Sequence, residues 1–298
     1  MSNVIKTGSD PRVQQKRRFN HKCAHHFAIE AYGVRIGVST ILPEPLDAAA
    51  ECVADVLPEF RYLTNGEPVE HNFHFTWNPS GRDTLYKNGE TVVSRTSRVV
   101  LLDRIGREIR LTVAEYAVDR VFIHSAAVGW KGKAILFPAH SFRGKSSLTA
   151  ELVRRGADYY SDEYAILDDE GFVHPFPKKL SIPGEIDAYR QVDHPVEAFG
   201  GTAATDRARV GMILLTEYKP NAKWSPKFLS PANGLMELIK HTLPIRRDPP
   251  FTLEVLRTVA DTALIVKTKR GEVSEAADRI IEFFEKNCLD DKPCDLES

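Results

Sequence analysis

Val121 to Leu167 reads VFIHSAAVGWKGKAILFPAHSFRGKSSLTAELVRRGADYYSDEYAIL, with Gly144-Lys145-Ser146-Ser147 near its centre. The apolar run Ala134 to Phe137 predicts a strand leading into a polar turn. Ser146 to Arg155 predicts a helix with Leu148, Leu152 and Val153 on one face, and Gly156 is placed to stop it. A strand, a turn and a helix that opens on Gly-Lys-Ser is the arrangement of a phosphate-binding loop. Backbone N–H groups cradle phosphates, Lys145 meets the outer phosphate charge, and the Ser146 hydroxyl ligates Mg²⁺. The expected nucleotide-binding residues are Ser141, Phe142, Arg143, Gly144, Lys145, Ser146 and Ser147, with Ser146 also a metal ligand.

The full loop pattern has a glycine five residues before Gly144, and this chain has Ala139 there, after Pro138. Alanine makes the turn if its φ stays negative; only a positive φ demands glycine. His140-Ser141-Phe142-Arg143 fill the rest of the loop with bulky side chains.

Asp162-Glu163 form the second element. After Gly156 the chain is expected to return beside the first strand, bringing both carboxylates to the sheet edge that carries Lys145. Hard oxygen ligands near a phosphate suit Mg²⁺. A carboxylate there also accepts the proton of an attacking hydroxyl. A solvated acidic turn is the plain alternative.

His124 ahead of a hairpin (Ser125 to Phe137), the Gly-Lys-Ser loop, Glu151-Leu152-Val153-Arg154-Arg155-Gly156 and Asp162-Glu163 together resemble the catalytic domain of the bacterial HPr kinase/phosphorylase family. The resemblance covers Val121 to Leu167 and is only one of general topology beyond. It implies an α/β (α+β overall) chain: a mixed-sheet P-loop kinase domain of the phosphoenolpyruvate carboxykinase type, preceded by a smaller N-terminal α+β region. It implies ATP and Mg²⁺ as cofactors and a serine of a protein or peptide as acceptor. Position by position, Lys145 and Ser146 match the phosphate and metal residues, Asp162 the catalytic base and Glu163 its acidic neighbour, taken as a metal partner. His124 matches the histidine that opens the domain. A positive residue near a later strand helps stabilise transferred phosphoryl charge in the wider family, which makes Arg207 or Arg209 a candidate. Ala139 and Phe142 replace two family glycines, and Val173 to Lys179 lacks the signature associated with the phosphorylase reaction. Relatives in the family modify a serine of a peptide natural-product precursor, so acceptors other than HPr fit the resemblance. A non-catalytic nucleotide-binding regulator and a small-molecule kinase are the alternatives.

Composition sets the frame. A chain of 298 residues with 42% hydrophobic residues builds one large domain or two modest ones. A net charge of −1 gives no global field for nucleic acid or an anionic membrane. Cys23, Cys52, Cys288 and Cys294 are scattered, which fits neither a disulfide scaffold nor a zinc ribbon and suits a reducing cytoplasm. With no apolar run of spanning length and no signal-peptide core near Met1, the expected location is cytoplasmic.

Residues 1–22, with Lys16-Arg17-Arg18, read as a tail. His21, His25 and His26 around Cys23 invite a metal, but no second ligand cluster accompanies them. From 23 to 119 the pattern is an α+β region. It has a strand pair over Cys23 to Ile36, a helix over Leu46 to Val56, a strand from His71 to Trp77 and a hairpin turning at Asn88-Gly89. A helix over Val99 to Val118 follows, with Leu102, Ile105, Ile109, Val113 and Tyr116 on one face. Acceptor recognition, homo-oligomer formation and cover for the edge of the kinase sheet are the roles open to it.

The catalytic region is read as 120–287. Trp130 and its neighbouring lysines either stack a base or pack on the turn. Gly184 to Gly201 reads as a flap over the site. Val210 to Leu215, Phe251 to Arg257 and Ala263 to Thr268 read as strands, and Asn233 to Leu243 and Ser274 to Lys286 as helices. Residues 288–298 read as a second tail.

Overall fold

The computed structural model describes residues 25–64, 66–139, 144–183 and 191–289. Two compact units divide at Val113 and Ala114, within a helix. Lys16-Arg17-Arg18, His21, Cys23 and residues 290–298 lie outside the described residues.

The first unit is a mixed sheet with two helices. Its elements are β1 (His25–Ala31), β2 (Val34–Thr40), α1 (Glu44–Val56), β3 (Arg61–Tyr62), β4 (His71–Phe75), β5 (Asp83–Lys87), β6 (Glu90–Thr96) and α2 (Arg98–Tyr116). The strand order is β3-β1-β2-β4-β5-β6, and only β2 and β4 pair parallel. Alternation sets the buried face: Ile29 and Ala31 in β1, Ile36 and Val38 in β2, Phe73 and Phe75 in β4. In α2 the buried row is Leu101, Ile105, Ile109 and Val113, one position off the expected start at Leu102, which is only half-buried. Gly106 lets α2 approach α1 closely: a Cβ there would stand 3.2 Å from the Cys52 carbonyl and 3.3 Å from Val56.

The second unit is a three-layer sandwich. Its elements are β7 (Val121–Trp130), β8 (Lys133–Pro138), α3 (Lys145–Arg154), β9 (Asp158–Ser161), β10 (Tyr164–Leu167), β11 (Phe172–His174), β12 (Leu180–Pro183), β13 (Gln191–His194), β14 (Ala208–Tyr218), β15 (Lys227–Phe228), α4 (Pro231–Ile239), α5 (Pro249–Thr262), β16 (Leu264–Arg270) and α6 (Val273–Phe284). The main sheet runs β11-β10-β7-β8-β14-β16-β15, with β9 also on β7. The three strands β8, β14 and β16 are parallel, so their C-terminal ends share one edge.

Alternate residues of the central strands feed two cores. Ala134, Leu136, Ile213, Leu215 and Ile265 pack with Leu238 of α4 and with Val255, Leu256 and Val259 of α5. Ile135, Phe137, Met212, Leu214 and Val266 pack with Leu148 and Leu152 of α3 and with Ala277, Ile280 and Phe284 of α6. Covered on both faces, β8 and β14 carry unbroken apolar runs rather than polar alternation. Each such side chain contributes about 1.5–3 kcal/mol on full burial.

Four expectations are corrected. Phe251 to Arg257 is not a strand but lies in α5. Asp248 caps that helix by accepting the Phe251 N–H at 3.3 Å, Pro249 and Pro250 open it, and Thr252, Val255, Leu256 and Val259 are buried at helical spacing. The chain after Gly156 returns beside β7, the hairpin partner of β8, rather than beside β8 itself, whose other neighbour is β14. The described part of Gly184 to Gly201 is not an anchorless flap: β13 pairs with β12, and Val196 packs in one cluster with Val153, Tyr159 and Leu180. The C-terminal tail does not begin at 288, since Cys288 is buried against the α3/α6 core.

Candidate functional site

Strand β8 ends at Pro138, and the Ala139 N–H points back to the His124 carbonyl at 3.4 Å. Among described non-glycine residues, positive φ is confined to Tyr32, Asn88, Arg95, Asp119, Lys131 and Asn221, so Ala139 has the negative φ that alanine tolerates. Ser141, Phe142 and Arg143 lie outside the described residues. The loop resumes at Gly144, which caps α3 with φ of 73°. A Cβ there would also stand 2.5 Å from Arg270 Nη2. The positive φ calls for glycine at this position, while the tip of the Arg270 side chain could shift to admit a Cβ.

Lys145, the first residue of α3, is 9% exposed and donates to the Ala139 carbonyl. Burial pushes its pKa down to about 8, against the opposing pull of the Asp162 and Glu163 charges. A half-desolvated ammonium at a helix N-terminus gains strongly from an incoming phosphate.

Asp162 is 5% exposed at the turn between β9 and β10. Its Oδ2 accepts the Ser146 hydroxyl at 2.9 Å and the Ser181 N–H at 3.3 Å, and its Oδ1 accepts the Tyr159 hydroxyl at 3.2 Å. Burial, reinforced by the Asp162 charge, holds the Tyr159 hydroxyl well above the usual range, so it remains a donor. The turn is built by Ser161, whose hydroxyl accepts the N–H groups of Glu163 and Tyr164 at 3.1 and 3.0 Å. Ser125 ties the two halves together. It lies opposite Pro138 in the β7–β8 pair and donates its N–H to the Glu163 carbonyl at 3.1 Å, which sets the acidic turn level with the loop.

The sequence candidates separate accordingly. Gly144, Lys145, Ser146 and Asp162 come together. Ser147 follows on the first turn of α3. Glu163 is adjacent, but its carboxylate lies 3.6 Å from Lys178 Nζ; Asp162, not Glu163, shares a contact with Ser146. His124 is half-buried at the same end of the sheet, opposite Tyr164, with the two rings 6.0 Å apart. Arg207 is placed elsewhere. It precedes β14, whose Arg209 lies opposite Lys133 at the start of β8, so a whole strand length, about 17 Å, separates it from the loop. Its guanidinium pairs with Asp168 at 2.7 Å and Glu170 at 3.0 Å and covers the Phe172 ring; a phosphoryl-stabilising role does not fit. Arg209 shares that ring and that end. Trp130 is at the same far end, bonded to Glu285 at 2.8 Å, and is no base platform for this loop.

Three groups escaped sequence reasoning. Arg270 is 5% exposed and donates to the Gly144 carbonyl at 3.2 Å from 126 residues away, and Ser181 and Tyr159 orient Asp162. No local pattern marks any of them; parallel pairing of β14 and β16 delivers Arg270 to the loop.

Beside the loop, on the face of the sheet that carries α4, a cleft of about 810 Å³ opens between Pro138-Ala139, the ends of β14 and β16, and Glu237 and His241. No three His, Cys, Asp or Glu side chains cluster as a metal site among the described residues, and no described helix is long and apolar enough to cross a membrane.

No family model and no curated protein matches the chain. Among solved structures it has a distant resemblance to the Hpr(Ser) kinase/phosphatase from Coxiella burnetii, at 12% sequence identity and a TM-score of 0.30, over 55% of this chain and 96% of that one.

Proposed function

We propose that this chain is an ATP- and Mg²⁺-dependent kinase that phosphorylates a serine of a protein or peptide acceptor. The contact between the Ser146 hydroxyl and the buried Asp162 carboxylate carries this reading. Binding a nucleotide needs the loop and its lysine, whereas chemistry at a hydroxyl also needs a carboxylate beside them.

The residues fit the groups such a reaction requires. Ser146 and Asp162 offer hard oxygens 2.9 Å apart, the donor type that Mg²⁺ selects. Gly144, by its positive φ, turns the backbone into α3, whose first N–H groups would hold phosphate oxygens. Bound Mg²⁺ would neutralise charge on the transferring phosphoryl group. Lys145 would exchange the Ala139 carbonyl for a phosphate oxygen, and Ser146 would exchange Asp162 for the metal. Asp162, held by Tyr159 and the Ser181 N–H, would take the proton of the acceptor hydroxyl as its oxygen bonds to the γ-phosphorus and the bond to the departing ADP oxygen breaks.

Calorimetric titration with Mg·ATP tests the first half. Lys145→Ala should weaken binding by more than tenfold, about 1.4 kcal/mol; equal affinity in the variant would remove the phosphate-loop assignment. Phosphate incorporation into acceptor polypeptides, located by mass spectrometry, tests the second. Mg·ATP binding without transfer to any of them would leave a nucleotide-binding regulator.

A further inference from the structure

We infer that the cleft beside the loop docks an acidic segment of the acceptor, so that the phosphorylated serine belongs to a stretch rich in Asp and Glu. This deepens the kinase reading and rests on it. Five lysines line the cleft: Lys219 and Lys223 after β14, Lys227 in β15, and Lys267 and Lys269 in β16. Against them stand Glu217 and Glu237. Glu237 is already shared by Lys240 at 2.8 Å and Lys267 at 3.3 Å. Among the described residues no carboxylate forms an ion pair with Lys219, Lys223, Lys227 or Lys269. In a chain whose net charge is −1, this is a strong local concentration of positive charge.

The arrangement is costly for the fold alone. Lys227 lies directly opposite Lys267 in the β15–β16 pair, where like charges repel. Lysine on an edge strand discourages sheet-to-sheet aggregation and accounts for Lys227, and Lys269 stands opposite Glu217 in the β14–β16 pair, but neither reason covers Lys219 and Lys223 in the loop. Lys267 and Lys269 alternate with buried Thr268 and Arg270, so both present to the same face at about 6.6 Å spacing along the strand. That spacing matches alternate carboxylates of an extended peptide. A compact phosphate selects converging N–H donors and a nest, as at Gly144, whereas this cleft offers separated cations along its walls.

The cleft also leads to the chemistry. Its wall includes Ala139, whose carbonyl accepts from Lys145, and His241, whose carbonyl accepts the His124 N–H at 2.8 Å. The next residue, Ser125, bonds to Glu163. A segment lying on the lysines therefore passes the entry side of the loop within one backbone hydrogen bond of β7, the strand that pairs with β9 and β10 on either side of the acidic turn.

The test uses the full chain and two fluorescein-labelled twelve-residue peptides with one central serine, flanked by Asp and Glu in one and by Lys and Arg in the other. Anisotropy without nucleotide should show tighter binding of the acidic peptide at low salt, fading as NaCl is raised. Lys219→Glu/Lys269→Glu should lose at least tenfold in that affinity and keep the wild-type affinity for Mg·ATP. No preference for the acidic peptide, or a double variant that loses Mg·ATP affinity instead, overturns the proposal; the second outcome gives the cleft to the nucleotide. If the wild type binds the acidic peptide through these lysines but binds no Mg·ATP, acidic docking stands while the kinase reading fails.

Discussion

The Ser146 hydroxyl donates to Asp162 Oδ2 at 2.9 Å across sixteen residues of chain. One residue opens the helix after the loop and the other sits on the turn after the strand that returns beside β7. Their meeting turns a phosphate-loop pattern and an acidic dipeptide into one site.

Asp162→Asn keeps the shape and one acceptor oxygen, which serves Ser146 or Tyr159 but not both, and cannot take a proton. Phosphoserine formation should fall by at least about a hundredfold, within the usual range of general-base assistance, while Mg·ATP affinity changes only a few-fold. Single-turnover transfer and calorimetry on the same preparation check this. Undiminished transfer would remove Asp162 from the mechanism.

Lys145 gives a pH dependence with a definite sign. Its folded pKa of about 8 lies below the usual lysine value of 10.5. Between these values the unfolded chain holds the extra proton, so stability rises with pH across that window, relative to Lys145→Met. Nucleotide affinity runs the other way. Above pH 8 the ammonium is lost before binding, and affinity should drop by about tenfold for each further pH unit. Lys145→Arg keeps its charge and should flatten the profile. A wild-type affinity constant from pH 7 to 9.5 would contradict the assignment.

The two ends of the loop should prefer opposite residues, so that exchanging glycine and alanine costs stability at each. Gly144→Ala puts a Cβ at positive φ and against Arg270, and should destabilise by about 1–2 kcal/mol. Adding Arg270→Ala removes the contact but not the backbone strain, so it should not restore stability. Ala139→Gly at negative φ should cost roughly 0.4–1 kcal/mol through unfolded-chain entropy. Thermal melts without nucleotide decide; a gain from Ala139→Gly would mean the loop strains its first residue.

Arg207→Ala should leave transfer and Mg·ATP binding unchanged. It should lower stability only slightly, because Arg207 is itself about half exposed and its ion pairs are screened by solvent. Asp168→Ala should cost more. Burial draws the Asp168 pKa up, but hydrogen bonds from His174, the Phe172 N–H and Arg207 outweigh it and leave it below the usual value. That contribution is present above the unfolded pKa and is lost as pH falls through the folded one. Acid titration of the melting temperature in wild type and Asp168→Ala reads it; a transfer defect in Arg207→Ala would reopen its catalytic role.

Local patterns made much of this molecule legible. The apolar run of β8 and the helical spacing of Leu148 and Leu152 depend on neighbours within a few residues, and so do the turns at Asn88-Gly89 and Lys131-Gly132. Phe251 to Arg257 was misread because β-branched and aromatic residues in a short window suit either period. Asp248-Pro249-Pro250, the start signal just upstream, decides for a helix.

By itself the sequence determined the strand, the loop motif and the helix around Gly144-Lys145-Ser146 and the negative φ open to Ala139, because these follow from steric rules within a few bonds. Only the tertiary structure decided which distant groups complete the site. Strand order puts β7 between β8 and β9, so Ser125 levels Glu163 with Pro138. Parallel pairing of β14 with both β8 and β16 sends Arg270 to the loop end and leaves Arg207 at the opposite end. Side-chain chemistry is fixed residue by residue, but which edge of a sheet a residue reaches depends on pairings between segments tens of residues apart in sequence.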